Sequence, residues 1–361
     1  MPPDRTNQWT APISARPHPA YTRMYAAALV LLVIMSLAVN PLPAQQAGGG
    51  VGASRGPAAM GNHPATLPEH SPLNPTVAER TGVYVQPYLP PADGWSWSAT
   101  AEYGSIVERN INFPDSYLLD AELVRLRFQL RRDLGTHAFL LAEAGVAGAF
   151  SGVSDGFFES YHRLIRFTME ERDARPHNRF GDRLLLQSRG MDRRRDAHPM
   201  LPTDARLAAG LRLGPSQTVL SMTIPTAPTR SLYHRGTVSL ALLETLRLPT
   251  GERLYADLSG GVGYTPSQGM LEPIQNTTFI LGSASARLRL WGNHAVFATF
   301  YGQSAPYRDT NFPELDLADT GIDFGYLWQS RGGRQWRVGL TEDLRRRDPG
   351  MDLALKVSTS R

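Results

Sequence analysis

Three side chains in one short stretch have the types and spacing for chemistry. Asp155, Glu159 and His162 sit at i, i+4 and i+7. On a helix this places two carboxylates and an imidazole on one face, a set able to hold a cation or a polar ligand. A metal ion asks for more donors than these, so no metal site is assigned, and capping of a helix pinned to basic neighbours is the stronger reading. The same stretch contains Gly152-Val153-Ser154-Asp155-Gly156, the G-x-S-x-G spacing of a nucleophile elbow. That device works on a parallel sheet flanked by helices. No alternation of strand and helix patterns surrounds it, so hydrolysis at Ser154 is the weaker reading and no catalytic residue is assigned.

A second group of candidates is basic. Lys356 is the only lysine among the 37 basic residues, so the positive charge is almost entirely arginine. A compositional bias accounts for this, although arginine's planar fork also suits carboxylates and phosphates. Arg125, Arg127, Arg131, Arg206, Arg212, Arg287, Arg289 and Arg337 recur on one face of successive segments, with Glu102, Glu143, Asp257, Asp319, Asp323 and Asp343 on the same kind of face. Such a surface either attracts anions or forms a cross-strand lattice of ion pairs.

The elements that carry these residues have period two. Val124, Leu126, Phe128 and Leu130 alternate with Arg125, Arg127, Gln129 and Arg131. Successive side chains on a strand point to opposite faces, so one face is apolar and the other charged. The pattern recurs near 94–107, 119–131, 137–148, 204–214, 216–225, 236–248, 252–264, 277–291, 293–304, 318–330, 333–344 and 351–360, about twelve strands. Glu244 interrupts the apolar face of one of them, as a bulge would.

Short turns at 133–136, 214–216, 249–252, 291–293 and 330–333 alternate with longer links at 108–118, 149–203, 226–235, 265–276, 305–317 and 345–350. Short periplasmic turns, longer extracellular loops and an even strand number describe an outer-membrane barrel. A soluble barrel or sandwich would hide the apolar face instead. Charges on many strands argue against burying the polar face in a dry core. Aromatic residues near strand ends (Trp95, Trp97, Tyr264, Trp291, Tyr326, Trp328 and Trp336) fit an interfacial girdle. The expected fold is therefore all-β: an antiparallel transmembrane barrel over 81–361, with one long extracellular loop, 149–203, carrying a short helix.

The N-terminal region agrees. Residues 25–39 are one uninterrupted apolar run, preceded by Arg5, Arg16 and Arg23 and followed by Asn40-Pro41. This is the layout of a secretory signal, assigned to 1–44, and the run is short for a membrane span. Residues 45–80, rich in Gly, Pro and Ala, read as a flexible periplasmic leader. The absence of cysteine excludes disulfides and thiolate sites, and a net charge of +4 is too small to indicate nucleic acid. No cofactor is expected. The expected partners are outer-membrane lipid and the barrel-insertion machinery.

The long link also carries a resemblance. Gly152, Asp155, Gly156, Phe157, Glu159, His162 and the Arg175-Pro176-His177-Asn178 stretch resemble an uncharacterised Gram-negative family known as domain of unknown function 3187, over roughly 72–361. The resemblance implies an outer-membrane β-barrel and no particular activity. The sequence departs from it at Thr168-Met169-Glu170-Glu171, where more glycine is expected. The functional expectation is a narrow channel or transport pore gated or plugged by 149–203, with Asp155 and Glu159 facing wall arginines. The alternatives are a non-conducting envelope module and an outer-membrane lipid-modifying enzyme.

The loop alternation makes a topological prediction. Tags inserted near Ser267 or Asp309 are reached from outside intact cells, and tags near Gly214 or Gly332 are not. Surface labelling at the short turns would invert or abolish the orientation.

Overall fold

The computed structural model describes residues 69–81, 85–152, 154, 156, 160, 178–248, 250, 253–330, 332–345, 351 and 353–361. The signal assigned to 1–44, leader residues 45–68, and Asp155, Glu159 and His162 lie outside them.

A short helix α1 (Pro75–Ala78) precedes fifteen strands: β1 (Trp95–Asn112), β2 (Asp115–Leu134), β3 (Ala138–Phe150), β4 (Gly181–Leu186), β5 (Met191–Arg194), β6 (His198–Pro202), β7 (Ala205–Leu213), β8 (Ser216–Ile224), β9 (Ser239–Leu248), β10 (Leu254–Tyr264), β11 (Thr278–Trp291), β12 (His294–Gln303), β13 (Asp319–Gln329), β14 (Gln335–Asp343) and β15 (Leu353–Ser360). A second short helix α2 (Pro313–Asp316) lies between β12 and β13. Twelve strands, all but β4, β5 and β6, pair with their neighbours in chain order. Pairing of β1 with β15 closes the ring. Every ladder is antiparallel. Closure leaves none of the twelve with a free edge at membrane depth, where an unpaired backbone group costs several kcal/mol.

The strand pattern of the sequence is present almost residue for residue, including 293–304, whose faces are both mixed. One link is different. The stretch 108–118 is not a loop: β1 and β2 continue through it in unbroken register from Trp95↔Arg132 to Asn112↔Asp115, and turn at Phe113-Pro114. Twenty residues of β2 span roughly 66 Å, well beyond an apolar band of about 25 Å. The outer part of this hairpin therefore stands clear of the bilayer. There neither face has to be apolar, which removes the alternation that marks a membrane strand. The 149–203 link continues the sheet in turn, since β4 pairs with the outer part of β2, β5 pairs with β4, and β6 pairs with β3. Of the helix expected in this link, Gly156 and Ser160 are described and helical; the Ser160 hydroxyl donates to the Gly156 carbonyl at 2.7 Å.

Glu244 marks no bulge. Its strand pairs in continuous register on both sides, and its carboxylate accepts from Thr218 and Ser216 on the same outer face. Register shifts lie instead between Arg289 and Trp291 on β11 and between Ala147 and Ala149 where β3 meets β6. The short turns at Gly135 and Gly214 reverse the chain through left-handed φ values of +71° and +63°, which glycine adopts without steric cost.

The direction of the two faces is unambiguous. On β2, Leu126 and Phe128 are 42% and 51% exposed, whereas Arg125 and Arg127 are 3% and 8% exposed. The same inversion of a soluble core holds around the ring, with Leu207, Leu220, Leu242, Leu258, Ile280, Phe300 and Val338 all on the outside. Trp95, Trp291 and Trp328 are exposed at the short-turn end and Tyr264 at the other.

Replacing Leu126 with arginine should cost roughly 2–4 kcal/mol, the penalty for a charge at mid-bilayer. Ile111→Arg, on the part of the hairpin beyond the membrane, should stay within about 0.5 kcal/mol. Denaturant unfolding in lipid vesicles, followed by heat-modifiable gel migration, measures both. Equal costs would mean that the two positions share one environment.

Candidate functional site

The charged inner face encloses a segment of the same chain. Residues 69–81 and 85–93 run inside the ring, which corrects the assignment of 69–80 to a flexible leader. His70 and Val85 pair antiparallel, so the two halves form a re-entrant hairpin. At its turn Asn74 caps α1: its side chain accepts from the Thr76 N–H at 2.9 Å, with Pro75 in the first helical position. The Asn74 amide also donates to Glu108 at 2.8 Å.

The wall grips this hairpin at three levels. At the long-loop end, Glu79 accepts from Arg193 at 2.7 Å, from Arg195 at 2.8 Å and from the Tyr307 hydroxyl. Arg80 donates to the carbonyls of Thr265 and Asn276 at 2.8 and 3.0 Å. Arg235 reaches the carbonyls of Ala78 and Thr81, and the Tyr233 hydroxyl donates to the Leu73 carbonyl at 2.7 Å. An apolar cluster seals this level, with Leu73 and Ala78 packed among Tyr117, Leu184, Leu271, Phe312 and Leu315.

At mid-depth, Arg125 donates to Glu102 at 2.7 Å and to the carbonyls of Pro72 and Ser71 at 2.6 and 2.9 Å. Arg127 lies within ion-pair distance of Glu69, Glu102 and Glu143. Glu69 also meets Arg206 at 3.0 Å and Gln129 at 2.8 Å. His70 stacks on Tyr301 with ring centroids 3.5 Å apart, and its Nδ1 lies 3.1 Å from Asp323, which Lys356 approaches to 2.9 Å.

Towards the short turns, the backbone of 86–90 is held as an extra strand would be. Tyr88 N–H donates to Asp257 at 3.1 Å and Leu89 N–H to Gln217 at 2.8 Å. The Leu89 carbonyl accepts from Arg212 at 2.6 Å and the Pro90 carbonyl from Arg131 at 3.2 Å. Arg212 also pairs with Asp133. Val85 and Leu89 fill an apolar patch of the lumen with Phe139, Leu141, Val219 and Phe279.

Most of the predicted inner-face residues thus point inward and are buried: Arg125, Arg127, Arg131, Arg206, Arg212, Arg287, Asp319, Asp323 and Arg337. Arg287 lies over the Tyr255 ring at 4.3 Å, and Asp319 accepts from Gln303 at 2.7 Å. Arg289 differs, being exposed at the rim beside the bulge. Asp155, Glu159 and His162 lie outside the described residues. Of the wall arginines expected to face them, Arg125, Arg127, Arg287 or Arg289, the first two are already engaged by Glu102, Glu69 and the Ser71 and Pro72 carbonyls. Ser154 follows β3 of an antiparallel sheet rather than the parallel sheet a nucleophile elbow uses; its hydroxyl meets Tyr103 and its backbone N–H donates to Glu122 at 2.6 Å. The sequence reading missed Glu69, Glu79 and Arg80 on the hairpin and Arg193, Arg195 and Arg235 on the loops. One signal pointed that way: the inner face carries more arginines than acids, so acceptors from elsewhere had to complete it.

Charges inside and a continuous apolar band outside decide between the two barrel types. The chain is an outer-membrane β-barrel. No protein-family model and no curated protein matches it. Among solved structures it is similar to an outer-membrane channel from Pseudomonas putida F1, at 12% identity, 76% of this chain, 96% of that one and a TM-score of 0.49. It is similar also to the porin NanC, at 6% identity, 74% and 98% coverage and a TM-score of 0.41. A third is the toluene transporter TbuX of Ralstonia pickettii, at 6% identity, 75% and 90% coverage and a TM-score of 0.39.

The clamp on Glu79 has a pH signature. Burial pushes its carboxyl up, but the Arg193 and Arg195 guanidiniums outweigh this and hold it at about 2, below the usual 4.5. Its contribution is complete above pH 4.5 and is lost as pH falls through about 2, in total roughly 3 kcal/mol. Amide exchange across 72–81 should therefore quicken over that window. Glu79→Gln should lose the same protection already at pH 7 and show a smaller acid effect. Identical exchange in the variant and the parent would remove Glu79 from the clamp.

Proposed function

We propose that the protein is an outer-membrane pore for small solutes and that this structure is its closed state, with residues 69–81 and 85–93 as the gate. This reading replaces the 149–203 link as the plug: the described part of that link sits at the rim, where Arg193 and Arg195 hold Glu79. The observation that carries it is the nature of the contacts between hairpin and wall. An eight-stranded barrel is just wide enough for its own side chains to fill, and a wider one needs other filling or conducts. Here the filling is a segment held chiefly by hydrogen bonds and ion pairs. Water can take over such contacts, so a wall stripped of the hairpin remains compatible with an aqueous lumen.

The apolar cluster at the long-loop end favours a second reading, a permanently closed envelope module, because separating its surfaces exposes hydrophobic area.

Planar-bilayer recording separates the two. Wild-type protein should open rarely. Glu69→Ala combined with Glu79→Ala should raise open probability about tenfold or more, the factor that 1.4 kcal/mol supplies. Deletion of 69–93 should give a steady conductance, with heat-modifiable migration establishing that each variant folds. Folded variants that stay silent would favour the closed module.

A further inference from the structure

Below the hairpin lies a cavity of about 310 Å³ that reaches the short-turn end, where Gln329, Gly333 and Gln335 line it. Five basic residues line this space, Arg127, Arg131, Arg337, Lys356 and the exposed Arg361, together with the acids Glu69, Asp93, Glu143 and Asp323. Three have carboxylate partners: Arg127 has Glu69, Glu102 and Glu143, Arg131 has Asp133 at 2.9 Å, and Lys356 has Asp323. Arg337 does not. It is only 8% exposed, its Nη2 donates to the Ser360 hydroxyl at 2.8 Å, and its Nε–H has no partner. Among the described residues no carboxylate lies at ion-pair distance from it.

Glu69 attracts Arg337 only at longer range, and a buried guanidinium with no carboxylate in contact is costly unless something supplies one. Its surroundings define what fits. Arg337 lies opposite Leu327 on β13 and Ser358 on β15. Leu327, Ala295 and Phe297 form a small buried apolar cluster. The Phe297 ring lies against Gly339, two residues along the strand from Arg337, and against Gly325 across from it, where a Cβ would come within 3.0 Å of the ring. The glycines thus make room for an aromatic ring beside a cation in a cavity of small-molecule size.

We propose that this cavity binds a small organic carboxylate, its carboxylate on Arg337 and its apolar body against Phe297. Charge-assisted pairing to the Arg337 guanidinium supplies orientation, and the Phe297 ring selects an acid with a hydrocarbon body over a bare oxyanion. The site exists with the hairpin in place and belongs to the short-turn face. It stands whether or not the hairpin is a gate, and its test uses no conductance.

Calorimetry on the folded full chain in detergent at pH 7 tests it with benzoate, the neutral isostere benzamide and inorganic phosphate. Benzoate should bind saturably at one site. Benzamide, phosphate and benzoate on Arg337→Gln should each be at least about tenfold weaker, the equivalent of 1.4 kcal/mol. Thermal unfolding provides a second readout. Arg337→Gln removes a buried charge that no carboxylate contacts, so it should fold and melt no lower than the parent, and benzoate should raise the melting temperature of the parent alone. Unchanged benzoate affinity in Arg337→Gln, or no saturable binding to the parent, would overturn the proposal. Phosphate binding as tight as benzoate would overturn the choice of an organic acid.

Discussion

A guanidinium withdrawn from water has to find acceptors, and in this barrel the wall does not supply enough of them. Arg125 has one carboxylate, Glu102, and completes its donor set on the carbonyls of Ser71 and Pro72. Arg206 looks to Glu69 and Gln86, and Arg212 to Asp133 and the Leu89 carbonyl. The hairpin inside the ring is the missing half of these shells. Its own backbone would otherwise be a run of buried polar groups, so wall and hairpin satisfy each other. Removing either partner leaves charges or peptide groups stranded, which is far more destabilising than the net worth of the pairs themselves.

This mutual dependence divides the interior into unlike halves. At the long-loop end, Glu79, Arg80 and Arg235 lock the hairpin turn beneath a lid built from several links, and apolar residues close over it. At the short-turn end the chain runs along the wall from Gln86 to Pro90 before joining β1, and a cavity remains beside it. One face is therefore sealed and the other receptive. The long β1–β2 hairpin and the strands of the 149–203 link belong to the sealed face, where they extend the sheet beyond the bilayer and bring Arg193 and Arg195 over Glu79.

The strand positions, the two faces and the alternation of short and long connections were legible in the sequence because each follows from a local rule. Residues such as Leu126 and Arg127 differ by one position and must face opposite sides. In a membrane barrel that choice is enforced by lipid on every strand. The rule stops where lipid stops, which is why 108–118 looked like a loop although it is strand. Glu244 broke the apolar face without breaking the ladder, because Thr218 and Ser216 meet it on the outside.

The plug could not be read in the same way. Residues 69–81 and 85–93 have no period, since their side chains fit different parts of a curved wall rather than one face of an element. Their partners are remote, as with His70 and Asp323, 253 positions apart. Composition made 69–80 look like a leader because proline and polar residues also suit a segment whose backbone bonds go to something other than itself. The sequence by itself determined a twelve-stranded ring with lipid outside and charge inside. Only the tertiary structure decided what neutralises that charge, because closing the ring is what brings Arg125, Arg206 and Arg212 around one common space and leaves Arg337 in it with no carboxylate in contact.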